Sequence, residues 1–241
     1  MRRVMRLAVW LLVLMAAACA KHEPVRDADR QFAHAMELLE AHDFARATLA
    51  FERFLAKYPL DPRANRAEVL RIYAAFRDRE YILAETLAER FLDRVPGYKD
   101  APYVWYMLGR AREAQLRGAT HDVEPARKAA QAYRTLIERY PDTPYAEGAK
   151  KRLQRVRNLL AEHELAIARF YFKRGAYVAA INRCARVIER YQTTPAVEEA
   201  LYLQAVAQWR LGLDKAARET AALLRYNAPQ SPWLARLPEG L

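Results

Sequence analysis

Glycine is scarce in this chain: seven residues in 241. Glycine lets the backbone enter tight left-handed turns and approach phosphates closely, so its scarcity excludes a turn-rich fold and a glycine-rich phosphate loop. Serine is scarcer still. The single Ser231 lies in a proline-rich tail, which excludes a serine nucleophile framed by a general base. The five histidines (His22, His34, His42, His121, His163) include no His-x-x-x-His pair and no Cys/His cluster, so no metal site is expected. Carboxylate pairs such as Glu198-Glu199 are adjacent, face different ways on a helix and read as solvated surface. Runs of β-branched residues are absent. These absences together predict a protein with no catalytic residues, no metal and no cofactor.

Helix formers dominate, and hydrophobic residues make up 53% of the chain, enough to bury a substantial core. The formal charge is +11, from 40 Lys and Arg against 29 Asp and Glu. Such a surplus permits an anionic lipid, a nucleic acid or an acidic protein face as partner without selecting among them. Lys150, Lys151, Arg152, Arg155 and Arg157 form the densest basic run. Nucleic-acid recognition asks for exposed aromatics between the cations. The aromatics here sit at core spacing, so no nucleic acid is expected, and a solvated face or an acidic protein partner suits the run better.

The N-terminus reads as a secretory signal: Arg2, Arg3 and Arg6, an apolar run over 7–18 ending Met-Ala-Ala-Ala, then Cys19. The run is too short for a permanent span, which needs roughly 20 residues. A cysteine directly after small residues resembles the lipobox of bacterial lipoproteins, in which the thiol is acylated and becomes the new N-terminus. Residues 1–18 are thus the expected signal peptide and 19–26 a lipidated tether. Loss of the three arginines would lower the charge from +11 to +8. An ordinary signal cut with an incidental cysteine is the other reading. Ala20 stands where aspartate would mark inner-membrane retention, and is compatible with transport to the outer membrane.

One pattern organises the rest. Phe44, Ala47, Phe51, Phe54 and Pro59 recur in spacing as Tyr81, Ala84, Ala88, Phe91 and Pro96, and as Ala126, Ala129, Tyr133, Leu136 and Pro141. A fourth copy is Tyr177, Ala180, Cys184, Val187 and Gln192; a weak fifth is Leu213, Ala216, Thr220, Leu223 and Ala228. Steps of three and four place these side chains on one helix face, alanine admits a neighbouring helix, and proline stops the helix. Cys184 is therefore expected to be a small buried side chain. Asp27 reads as the first N-cap, and Asp61-Pro62, Thr143-Pro144 and Thr194-Pro195 as later helix starts. Residues 145–174 read as one long helix, bent or straight, and 229–241 as a packed or frayed tail. The ends of the copies lie 37, 45, 51 and 36 residues apart, near the ~34 of tetratricopeptide repeats. Trp105, Leu108 and Gly109 match the first helix of that repeat. The expected fold is all-α: a right-handed α-α superhelix of about five tetratricopeptide-like helix pairs over 27–228, presenting a concave groove.

Particular stretches carry a further resemblance: Tyr58-Pro59 with Ile72-Tyr73-Ala74; Tyr103-Val104-Trp105-Tyr106-Met107; Ala149-Lys150-Lys151-Arg152-Leu153; and 162–183, with Ala168-Arg169-Phe170-Tyr171, Arg174-Gly175-Ala176-Tyr177 and Asn182-Arg183. With the lipobox and the repeats, they make the chain resemble the BamD family of outer-membrane β-barrel assembly lipoproteins. The resemblance implies a non-enzymatic scaffold anchored in the outer membrane and facing the periplasm. Its implied partners are a POTRA domain of the barrel-forming subunit, other assembly lipoproteins and unfolded outer-membrane proteins. It implies Arg183 as the main ionic contact to the POTRA domain, with Asn182 and Arg174 beside it, and Tyr58, with Tyr73 and Phe76 near it, lining the substrate groove. Helix-packing roles compete for all three aromatics. The loop 118–124 is shorter than its counterpart in enterobacterial members. Another periplasmic repeat lipoprotein, a division coordinator or secretin pilot, is the competing reading.

Overall fold

The computed structural model describes residues 23–241; the signal peptide, Cys19 and the start of the tether lie outside the described residues. The described residues are all helical, without a strand: α1 (Glu23–Glu40), α2 (Phe44–Lys57), α3 (Ala64–Arg77), α4 (Tyr81–Arg94), α5 (Ala101–Glu113), α6 (Glu124–Arg139), α7 (Pro144–Lys173), α8 (Tyr177–Arg190), α9 (Ala196–Arg210) and α10 (Asp214–Asn227), then a 3₁₀ turn, Leu234–Arg236. The chain divides into two compact units, one through Met107 and one from Leu108.

The repeated pattern is the core. Ala47, Phe51 and Phe54 are fully buried in α2, as are Ala126, Ala129, Tyr133 and Leu136 in α6 and Ala180, Cys184 and Val187 in α8, with Ala84, Ala88 and Phe91 of α4 essentially so. Each of these helices is capped four residues after its last ladder position: the amides of Tyr58, Val95, Tyr140 and Tyr191 donate to the carbonyls of Phe54, Phe91, Leu136 and Val187. The fifth copy is corrected by one residue. Leu213 and Leu223 are about half exposed, whereas Ala217, Ala221 and Leu224 are fully buried and Ala228 donates to Leu224. The true fifth copy is thus Asp214, Ala217, Ala221 and Leu224, with Pro229 in the proline position. Leu213 is more hydrophobic than Asp214, yet it caps α10 from outside.

Helix starts also depart from expectation. α1 begins at Glu23, not after Asp27, and Pro24 falls in its first turn, where a missing N–H costs nothing. α3 begins at Ala64, yet the Asp61 carboxylate still accepts from the Arg63 amide, at 2.8 Å. Thr143 and Thr194 turn their hydroxyls back to the carbonyls of Tyr140 and Tyr191 instead of capping forward. Four hairpins share one turn: after α1, α3, α7 and α9, a residue with positive φ (His42, Arg79, Gly175, Gly212) sits two before the next helix. In each case its own amide and the next one return to the carbonyls of the last helical turn.

In the first unit, Arg63 ties α1 to the α2–α3 turn. Its guanidinium meets Asp29 and Asp61, each at 2.8 Å, and lies over the rings of Phe32 and Phe54. In the second unit, α7 is a single 30-residue helix that starts with proline and packs against α6, α8 and α9. Its extra turns, and the loop before α6, account for the uneven spacing of the copies. Arg169 on α7 forks onto both oxygens of Glu199 on α9, at 2.5 Å each, and reaches Glu162 at 2.5 Å. The tail is packed: Trp233 stacks on Tyr202 with centroids 5.0 Å apart, and Ser231 is buried.

The tightest approach is at Gly109 on α5. A Cβ there would lie 2.7 Å from Cδ1 of the fully buried Tyr133, whose hydroxyl donates to Glu113 at 2.6 Å. Gly109→Ala should therefore cost about 1–3 kcal/mol through overpacking. Thermal unfolding should record a drop of roughly 2–4 °C per kcal/mol.

Candidate functional site

The hairpin of α7 and α8 carries the first group of expected contact residues. Arg183 lies about two turns into α8 and half-buried; its Nη1 donates to Oε2 of Glu164 on α7 at 2.8 Å. Glu164 is itself buried, and Arg186 approaches the same oxygen at 3.8 Å. One carboxylate thus orders two arginines, and a guanidinium held at one edge loses less freedom when it meets an external anion. Asn182 is exposed beside Arg183. With Val178, 62% exposed, and Arg186 it forms a row at spacing four along α8. Arg174 belongs to the same hairpin but is not held against Arg183. It caps α7 and stacks over Phe170, 4.0 Å from the ring centroid, leaving Phe170 half exposed. The surface mixes cations with exposed apolar side chains, a composition suited to a protein interface. Glu164 lay inside the stretch that carries the resemblance, but nothing in its spacing marked it as the anchor of Arg183.

The second group does not form one cluster. Tyr58 closes the C-terminal end of α2; its ring tilts against Phe54 and its hydroxyl donates to Asp27 Oδ2, which also takes Lys57 Nζ at 2.5 Å. These hydrogen bonds, Lys57 first and Tyr58 second, hold the Asp27 carboxyl below its ordinary pKa. Asp27, expected as a helix cap, is instead the clasp between α1 and the α2–α3 turn. Tyr73 packs edge-on to Phe44 at the other end of α2 and accepts a hydrogen bond from Arg77, and Phe76 packs against Tyr81. The 14 residues of α2 span about 20 Å, so Tyr58 is separated from the other two by a helix length. All three are half-buried and take part in helix packing. Tyr58 also opens onto a cavity of about 710 Å³ with Pro59, Leu60, Pro62 and Arg63, and Leu60 there is 95% exposed. The sequence pointed to Tyr58 but not to Leu60, because the repeat pattern leaves turn residues unspecified.

No cluster of metal-ligating side chains occurs among the described residues, and no described helix is long and apolar enough to cross a membrane. The described residues define a protein of stacked helical hairpins on a packed scaffold. The model of the YfiO family, described as outer membrane lipoprotein, matches residues 25–223. The outer membrane protein assembly factor BamD of Neisseria meningitidis serogroup A is 31% identical over 92% of this chain and 91% of its own length. BamD of Vibrio cholerae is 32% identical over 81% and 86%. Among solved structures, the TPR2AB domain of yeast Sti1 superposes with a TM-score of 0.42 at 15% identity, covering 87% of this chain and 80% of that one. The chain belongs to the YfiO/BamD family of outer membrane lipoproteins.

Burial, with Glu199 as a second contribution, pushes the Cys184 thiol up to about 12. Cys184 therefore stays protonated and closed to reagents at neutral pH. The stability its burial contributes is present below 9 and lost as pH rises towards 12, where only the unfolded thiol ionises. Ellman's reagent should find Cys184 slow to react in the native detergent-solubilised protein and fast in guanidinium.

Proposed function

We propose that this chain is a lipid-anchored, non-enzymatic scaffold of outer-membrane protein assembly, facing the periplasm. The observation that carries this reading is the family match, which runs through both units and joins the chain to relatives that are outer membrane protein assembly factors. Cys19 carries the acyl anchor; more than one chain is needed for firm attachment. The α7–α8 hairpin binds a POTRA domain of the barrel-forming subunit through Arg183 and Asn182, with Arg174 and Phe170 at the rim. Support comes from the fork of Arg183, pre-ordered by Glu164 and suited to an acidic, fixed partner group. The cavity beside Tyr58 takes apolar side chains of unfolded outer-membrane proteins, and other assembly lipoproteins complete the complex.

Affinity purification of the tagged lipoprotein from outer membranes should recover a POTRA-containing barrel protein. Arg183→Glu should lower that recovery, but it also places two carboxylates together at Glu164. Asn182→Glu, at an exposed position without that contact, separates lost binding from lost folding and should weaken recovery with an unchanged Tm. Recovery of a cell-wall or pilus protein in place of the barrel would overturn the reading.

A further inference from the structure

The basic surplus has a local destination in the second unit. A groove of about 770 Å³ lies between α6, α7 and the C-terminal end of α8. Five cations line it: Arg127, Lys128 and Arg134 from α6, Arg157 from α7 and Arg190 from α8. Glu124 and Glu138 are the carboxylates of the lining, so five positive charges less two negative leave a formal +3. Arg127 pairs with Glu124 at 3.3 Å. Among the described residues, Lys128, Arg134, Arg157 and Arg190 have no carboxylate within ion-pair distance.

Their positions are set from within. Arg134 donates Nε to the carbonyl of Ala130, and Arg157 donates Nη2 to the carbonyl of Arg190 at 3.0 Å, which ties α7 to the end of α8. The floor between them is apolar, made by Leu153, Leu160 and the ring of Tyr191. Arg157 also explains part of the basic run over 150–157. Arg152 of that run turns inward to Glu113 at 2.8 Å and Lys150 meets Glu147, whereas Arg157 faces the groove.

We propose that this groove binds an extended acidic segment of a partner protein. The spread of charge decides against a single phosphate or other compact anion. Arg127 and Arg134 lie two turns, about 10 Å, apart, and the lining of α6 from Glu124 to Glu138 extends about 21 Å. That length matches about six residues of extended chain at 3.3–3.4 Å each. In such a chain alternate side chains face opposite ways, so carboxylates can meet the cationic walls while the residues between them cover Leu153 and Leu160. A flat lipid surface has the charge but not the shape, because Leu160 is only 6% exposed at the groove floor. Arginine and tyrosine together are also the residue types that concentrate binding energy at protein interfaces. The inference does not use Arg183 or Glu164 and stands apart from the POTRA reading.

The test uses the full-length lipoprotein in non-ionic detergent and a fluorescein-labelled peptide of about eight residues alternating glutamate and leucine, with anisotropy measured against empty micelles. Saturable binding is expected, weakened about tenfold or more by Arg134→Glu or Arg157→Glu and strongly by added salt, since exposed charges are screened. Arg155→Glu, an exposed arginine of α7 outside the groove, should leave the affinity within about twofold. Thermal unfolding checks the fold of each variant, and the milder Arg134→Gln should still weaken binding about threefold if a reversal variant fails to fold. No saturable binding, equal binding of a lysine-leucine peptide, or an equal loss in Arg155→Glu would overturn the proposal. Displacement of the peptide by anionic phospholipid vesicles would also overturn it and mark the groove as a lipid site.

Discussion

Close approach of paired helices across a buried alanine is the contact on which the rest depends. Ala47, Ala84, Ala129 and Ala180 are buried without remaining exposure or nearly so, and a buried aromatic, leucine or valine follows each a turn or two further along. Burying one such large side chain is worth about 1.5–3 kcal/mol, and no single hairpin buries enough of them to stand alone. Gly109 against Tyr133 is the extreme case, since even a methyl group would be too large. The short turns follow from this spacing. A helix capped four residues after its last ladder position, with proline next in every copy but that of α8, leaves little choice about where its neighbour begins.

On that scaffold the recognisable surface chemistry sits where the ladder makes no demand. Arg183 lies next to the buried Cys184 in sequence, yet its side chain points to Glu164 and the edge of the hairpin. Tyr58 follows the last ladder residue of its helix and is drawn to Asp27, which leaves Leu60 bare in the turn beyond. Both surfaces combine an internally tethered charged or polar group with exposed apolar atoms. The groove of the second unit shares this economy: Arg157 is steadied by a backbone carbonyl and so keeps its charge available.

Much of this was legible in the amino-acid order. Three- and four-residue apolar steps, interrupted by proline, marked the helices to within a few residues, and the long α7 was readable because residues 145–174 hold no proline and the single Gly148 did not break the period. The fifth copy slipped by one residue because hydrophobicity alone favoured Leu213 and Leu223 over Asp214 and Leu224. Pro229 carried the correct register. The grouping of Tyr58 with Tyr73 and Phe76 failed for a different reason. Consecutive helices run antiparallel, so residues near the end of α2 and near the end of α3 lie a helix length apart, although each has an aromatic neighbour.

The sequence by itself determined the all-helical class, the burial of the ladder and Cys184, and the family, because these rest on local periodicity and on short ordered stretches that survive without three-dimensional information. Tertiary structure alone decided which polar groups meet: Asp27 with Tyr58 and Lys57, Glu164 with Arg183, Arg169 with Glu199, and the cations of α6, α7 and α8 around one groove. The partners in those pairs are separated by 19 to 31 residues. Their encounter depends on how antiparallel helices are set against one another in space, a quantity that no one-dimensional period encodes.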